Sequence, residues 1–119
     1  MSEAILFLEK TLNFSNLPEN IKSEIIYRLG LSYFESSAFS QAYSCFERIL
    51  NSSHMSENRK KQLSYYMGEC CFNLEEYDKA LEYYISILKL TSLSFVYRSM
   101  LYSKIAGTSR LAKEQLTEK

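Results

Sequence analysis

The sequence predicts an all-α fold of stacked antiparallel helix pairs, about six helices in all. Three observations predict it. First, a signature occurs twice. Ile26-x-x-Leu29-Gly30-x-x-Tyr33 is followed by Ala42-x-x-x-Phe46, and Ser64-x-x-Met67-Gly68-x-x-Cys71 is followed by Ala80-x-x-x-Tyr84. The interval from Gly30 to Gly68 equals the interval from Ala42 to Ala80, and its length is that of stacked helical hairpins. Second, three glycines and one proline leave few breaks in 119 residues, which favours long helices with short connections. Third, apolar residues recur at helical spacing between short polar stretches.

The first helix is expected over about Glu3 to Asn13, capped by Ser2, with Ile5, Leu8 and Leu12 on one face. Ser15-Asn16-Leu17-Pro18 ends it, and Pro18 opens the next helix, where a missing N–H costs nothing. The second helix covers about Pro18 to Ser36. A turn at Ser36-Ser37 leads to a third, about Phe39 to Asn51, with Ala42, Phe46, Ile49 and Leu50 on one face. Residues 51–56 form the longest polar connection. Ser56 caps a fourth helix, about Glu57 to Leu74, and a turn at Glu75-Glu76 leads to a fifth, Tyr77 to Leu90. After Thr91-Ser92-Leu93-Ser94 the remainder is helical, either as one long helix or as two pieces broken at Gly107-Thr108-Ser109. Short linkers make neighbouring helices pack antiparallel within a single domain over residues 1–119.

Composition narrows the function. Apolar residues make up 46% and charged residues 24%, as in ordinary globular proteins, and 14 basic side chains balance 14 acidic ones. Arg59-Lys60-Lys61 is the only basic run and reads as a solvated helix start, so nucleic acid is not an expected partner. The run Ala4 to Leu8 is too short to span a bilayer and lacks the basic flank of a targeting segment, so no membrane insertion is expected. Three cysteines are an odd number, and adjacent Cys70 and Cys71 have Cα atoms too close for a relaxed bridge. They read as reduced core residues in a reducing, cytoplasmic compartment.

The paired motifs resemble the tetratricopeptide repeat (TPR), which asks for Leu-Gly and an aromatic on helix A, then Ala and an aromatic four residues later on helix B. The resemblance implies a short right-handed superhelical array, a TPR-like solenoid. Gly30 and Gly68 would let helix A approach helix B, with Ala42 and Ala80 doing the same from the other side. Tyr33, Phe39, Phe46, Tyr77 and Tyr84 would fill the space around those contacts. Ala4-x-x-x-Leu8 repeats the helix B spacing one full period before Ala42-x-x-x-Phe46, so the first helix looks like a helix B without its helix A. The implied units are an N-terminal half-repeat over 1–17, repeats over 18–54 and 55–91, and a degenerate C-terminal capping helix or partial repeat over 92–119.

In the resembled family, helix A residues line a concave groove that receives a partner segment. That register implies Tyr27, Leu31, Phe34 and Glu35 in the first unit and Tyr65, Glu69, Phe72 and Asn73 in the second, with Glu24 and Gln62 at the edges. Relatives that grip acidic C-terminal tails use Lys and Asn there. This chain has Tyr27 and Tyr65, then Leu31 and Glu69, so that clamp is absent. The groove is aromatic and weakly acidic, which suits a helical or extended segment with apolar anchors and a Lys or Arg. For Tyr27 and Tyr65, packing between helices competes evenly with use in the groove. The first helix carries more apolar residues than one buried face needs, among them Leu6, Phe7 and Phe14, so it is expected to meet a second copy or a partner.

Signals for an enzyme are thin. His54 is the only histidine, in a polar connection with no metal spacing around it, and it reads as solvated. No histidine stands at helical spacing from a cysteine, and there is no glycine-rich phosphate loop. No cofactor or metal is expected. The reading that follows is a non-enzymatic protein–protein interaction module, a scaffold or adaptor. The alternative is a small dedicated chaperone, of the kind secretion systems contain, that keeps a partner soluble.

Overall fold

In a computed structural model, the described residues are 3–14, 16–52, 55–90 and 92–118. Among them are six α-helices and no strand: α1 (Glu3–Leu12), α2 (Glu19–Glu35), α3 (Phe39–Ile49), α4 (Glu57–Asn73), α5 (Tyr77–Leu88) and α6 (Phe95–Thr117). The expected caps and breaks at Ser2, Ser15 and Thr91, and His54, lie outside the described residues. The chain divides into two compact units, Met1–Leu63 and Ser64–Lys119, and the division falls within α4.

In the first unit, α1 and α3 both pack on α2. The core is made by Ile5, Ile25, Ile26, Leu29, Ala42, Phe46, Ile49 and Leu63. Gly30 decides how close α2 and α3 come. A Cβ built there would lie 2.6 Å from Cε1 of Phe46, nearer than real Cβ atoms approach. Ala42 and Phe46 are fully buried against this contact.

The second unit repeats the arrangement. A Cβ on Gly68 would lie 2.7 Å from Cε1 of Tyr84, and Ala80 and Tyr84 are fully buried. Met67, Cys70, Cys71 and Ile87 complete this core, and α6 packs on α5, burying Leu101 and Thr108. The C-terminal segment is one helix that runs through Gly107. The penalty for a glycine in a helix, about 1 kcal/mol, is outweighed by burial of Leu101 and Thr108 on either side of it.

The helix-to-helix turns are built alike. Ser37 and Glu75, equivalent positions of the two repeats, both adopt left-handed backbone, with φ of 62° and 61°. Each turn closes with a backbone bond from the following residue to the last turn of the preceding helix. The Ala38 N–H donates to the Tyr33 carbonyl at 2.9 Å, and the Glu76 N–H donates to the Cys71 carbonyl at 2.8 Å. These bonds satisfy carbonyls that a helix end otherwise leaves open. Phe34 meets Phe39 edge-on at 5.5 Å across the first turn, and Phe72 meets Tyr77 at 5.6 Å across the second. Ser56 caps α4 by accepting the Arg59 N–H at 3.1 Å, and Ser94 caps α6 by accepting the Tyr97 N–H at 3.1 Å.

The same substitution should have opposite signs at different glycines. Alanine gains about 1 kcal/mol of helix propensity over glycine. At Gly30 and Gly68 the added methyl meets a ring that full burial prevents from yielding, and overpacking costs about 1–3 kcal/mol. At Gly107 nothing lies within 4 Å. Gly30→Ala and Gly68→Ala should lower the urea midpoint, and Gly107→Ala should raise it. A raised midpoint for Gly30→Ala would show that the close approach is not a constraint.

Candidate protein-binding faces

In the first unit, the residues singled out by the groove register separate into two environments. Tyr27 is buried, at 8% exposure. Its hydroxyl donates to Oε1 of Gln62 at 3.2 Å, and its ring tilts against Phe46 at 6.1 Å. The Arg59 guanidinium lies 3.8 Å from the Tyr27 ring centroid, a cation–π geometry. Arg59 also donates to Oε2 of Glu24 at 2.9 Å, while Arg28 reaches the other oxygen at 3.2 Å. The hydrogen bond from Arg59 holds the Glu24 carboxyl below its usual range.

Leu31, Phe34 and Glu35 are more accessible. Leu31 and Phe34 are half-buried and Glu35 is exposed. Leu31 and Glu35 line an open groove of about 360 Å³ with Arg28 and Ser32 from α2 and Ala4, Phe7 and Leu8 from α1. Phe7 is 69% exposed. The surplus of apolar residues on the first helix is thus visible as surface, with Leu6 also exposed; Phe14, exposed too, lies past the end of α1 at Leu12.

In the second unit, Tyr65 and Glu69 come together in a polar cluster. Tyr65 donates to Oε1 of Glu69 at 3.1 Å, Lys104 Nζ donates to the same oxygen at 3.0 Å, and the Tyr84 hydroxyl donates to Oε2. Three donors therefore occupy a carboxylate whose side chain is 16% exposed. The Tyr65 ring packs against Tyr66, Tyr84 and Tyr97 at 5.9–6.4 Å. Phe72 is half-buried and lines a pocket of about 210 Å³ with Tyr84, Lys104, Gly107, Thr108, Arg110 and Leu111. Asn73 is exposed, and its amide donates back to the Glu69 carbonyl at 2.8 Å.

Sequence reasoning treats Arg59 as part of a solvated helix start and does not single out Lys104. The structure instead lays Arg59 over Tyr27 and sets Lys104 on Glu69. The repeat gives no signal for either, because Glu24 corresponds to Gln62 and Glu69 to Leu31, so the two ion pairs stand at different positions of the repeat. Phe7 and Leu8 read in sequence as apolar surplus and core; the structure makes them groove lining. Chemistry on the cysteines is disfavoured. Cys45, Cys70 and Cys71 are free and buried, and burial pushes the Cys70 thiol to about 12 and Cys71 to about 11. At neutral pH they are thiols, not thiolates. Among the described residues there is no group of three or more metal-binding side chains, and no helix is long and apolar enough to cross a membrane.

The tyrosines carry a pH prediction. Burial, with the charge of Glu69 beside them, raises Tyr65 and Tyr84 above the usual phenol value of 10, and burial likewise raises Tyr97. The hydrogen bond to Glu9 raises Tyr33 to about 12. The folded state thus holds these protons more tightly than the unfolded chain. The stability this contributes is complete below about pH 10 and is lost as pH rises from there through the raised folded values. Phenolate absorbance followed with pH should show a late group of tyrosines that ionises together with loss of helicity. Tyr84→Phe should shrink that group. Smooth ionisation of all ten tyrosines near the usual phenol value in a still-helical chain would contradict the cluster.

The family described as anaphase-promoting complex, cyclosome, subunit 3 matches residues 1–87, about three quarters of the sequence. No curated protein matches the chain, and neither does any solved structure. The matched family is of the tetratricopeptide type, whose repeats generally act as non-enzymatic protein-interaction modules. The repeat signature, the two glycine-on-ring helix pairs and this match agree, and the chain belongs to the anaphase-promoting complex, cyclosome, subunit 3 family of TPR-type repeats.

Proposed function

We propose that the chain is a scaffold or adaptor that grips a helical or extended segment of a partner protein. The observation that carries this reading is the placement of Phe34 and Phe72. They stand at equivalent positions of the two repeats, both are half-buried, and each is braced edge-on by the first residue of the following helix. A ring held in one orientation with part of its face open contributes apolar contact area at little entropic cost. Leu31 and Glu35 beside Phe34, and Asn73 beside Phe72, supply further apolar and hydrogen-bonding contacts.

Tyr27 and Tyr65 are engaged within their own units, Tyr27 with Phe46, Gln62 and Arg59 and Tyr65 with Glu69 and Tyr84. Glu69 is occupied by Tyr65, Tyr84 and Lys104, so a basic anchor would meet Glu35 instead. The pocket beside Phe72 is below the roughly 300–1,000 Å³ of small-molecule sites and suits one apolar partner side chain. Lys104 is held by Glu69, and Arg110, which lines the pocket and is exposed, favours an acidic neighbour on a segment bound there. The family description names a subunit of a multi-protein complex, and a role in holding such an assembly together is the corresponding reading for this chain.

Phe34→Ala combined with Phe72→Ala tests this. Truncating two half-buried rings should cost less stability than the roughly 3–5 kcal/mol of a fully buried one, so helicity by circular dichroism should persist. Capture of partner proteins from native extract should fall at least about tenfold relative to the unsubstituted chain. Unchanged capture by a folded double variant would move the binding surface elsewhere.

A further inference from the structure

The pocket beside Phe72 is walled by three helices of one compact unit. Phe72 comes from α4, Tyr84 from α5, and Lys104, Gly107, Thr108 and Leu111 from α6. Gly107 stands in the interior of α6, where a glycine weakens a helix. A Cβ built on Gly30 or Gly68 would lie 2.6 or 2.7 Å from a ring, whereas a Cβ on Gly107 would meet nothing within 4 Å. No neighbour among the described residues therefore requires a glycine at 107, and what the glycine leaves is room at the pocket wall. Apart from tyrosine and cysteine, Thr108 is the only polar residue buried among those described, and it lines the same pocket. Lys104 is held by Glu69 at 3.0 Å. Arg110 also lines the pocket, is exposed, and has no ion-pair partner among the described residues.

We infer that this pocket receives one leucine-sized side chain of a partner segment that carries Asp or Glu next to it, with Gly107 setting the size admitted and Arg110 pairing with the carboxylate. The inference rests on the protein-binding function proposed above and names what the Phe72 face selects. Size supports it. About 210 Å³ exceeds the roughly 150 Å³ of an apolar cavity that takes benzene, so an isobutyl group fits whole. It is below the roughly 300–1,000 Å³ of small-molecule sites, so the occupant is anchored by the rest of a chain rather than bound alone. Charge supports it as well. With Lys104 neutralised by Glu69, the remaining charge at the pocket is the Arg110 guanidinium, whose fork matches a carboxylate. A Lys or Arg at that place on the segment would be repelled. The walls belong wholly to α4, α5 and α6, so the pocket is formed without any further helix.

The probes are eight-residue peptides blocked at both ends, with one leucine followed by Asp, Asn or Lys and with serine and alanine elsewhere. Each is titrated into the isotope-labelled full chain and followed by amide chemical shifts. The chain has three glycines, so the Gly107 amide is identified by its loss in Gly107→Ala. The Leu-Asp peptide should shift the Gly107 and Leu111 amides saturably. Serine in place of the leucine, or Lys in place of Asp, should weaken binding at least about tenfold. Arg110→Gln should abolish the preference for Asp over Lys while the Asn peptide still binds. Gly107→Leu should remove binding, read at Leu111, and keep its helicity, because leucine is the stronger helix former and the position is open. Gly107→Ala should weaken binding far less. Absence of a saturable shift overturns the inference, as do equal binding of the serine peptide and unchanged binding by a helical Gly107→Leu chain. If Gly107→Leu loses helicity, Arg110→Gln decides in its place, and an Asp preference that survives it overturns the inference. A dimer in sedimentation that Gly107→Leu dissociates would assign the pocket to a second copy and overturn it as well. Capture lost in the Phe34→Ala, Phe72→Ala chain, with no peptide bound by the unsubstituted one, would leave the function proposed above standing and this inference failed.

Discussion

A helix backbone pressed against an aromatic ring is the constraint on which the rest of this structure depends. Phe46 and Tyr84 are fully buried, and each lies where a Cβ on the facing helix would intrude, at 2.6 and 2.7 Å. The two contacts fix how closely α2 approaches α3 and the C-terminal part of α4 approaches α5. That separation sets the turns, which close with a left-handed residue and a backbone bond at the same position in each repeat. It also brings Phe34 to Phe39 and Phe72 to Tyr77. A single steric fact therefore propagates from the core to the rings proposed to meet a partner.

Charge is used inside each unit. Glu24 pairs with Arg59, and Glu69 takes three donors. A half-buried carboxylate needs such partners, because leaving it unpaired would cost more than the pairing gains. The consequence for function is that Glu69 is engaged internally rather than held out to a partner's cation. The surfaces that remain are mostly apolar, around Phe7, Leu31, Phe34 and Phe72, with Glu35, Asn73 and Arg110 at their edges.

Much of the fold is legible in the sequence because the repeat is enforced sterically. Only glycine fits where Phe46 and Tyr84 sit, and only a small residue fits at Ala42 and Ala80, so these positions write themselves into the chain. Helix ends follow from Pro18, Ser56 and Ser94, whose local chemistry acts within a turn of the chain. The candidate site is less legible. Tyr27 and Leu31 lie one helical turn apart in α2, and the groove register assigns both to the same face. The structure buries Tyr27 under Arg59 and leaves Leu31 beside Phe7. Helical periodicity says which residues share a face; which neighbour covers each part of it is decided by side chains that arrive from other helices.

The sequence by itself determined the helix pairs, their order and their repeat, because helix propensity, capping and the glycine-on-ring fit act locally or at a fixed period. Only the tertiary structure decided that the C-terminal segment is one helix, that Glu69 is engaged by three donors, and that Tyr27 is buried under Arg59. Each of those depends on which distant side chain arrives: Leu101 and Thr108 buried on either side of Gly107, Lys104 on Glu69, and Arg59 over Tyr27. Burial and charge pairing are settled by three-dimensional neighbours, and no one-dimensional pattern carries them.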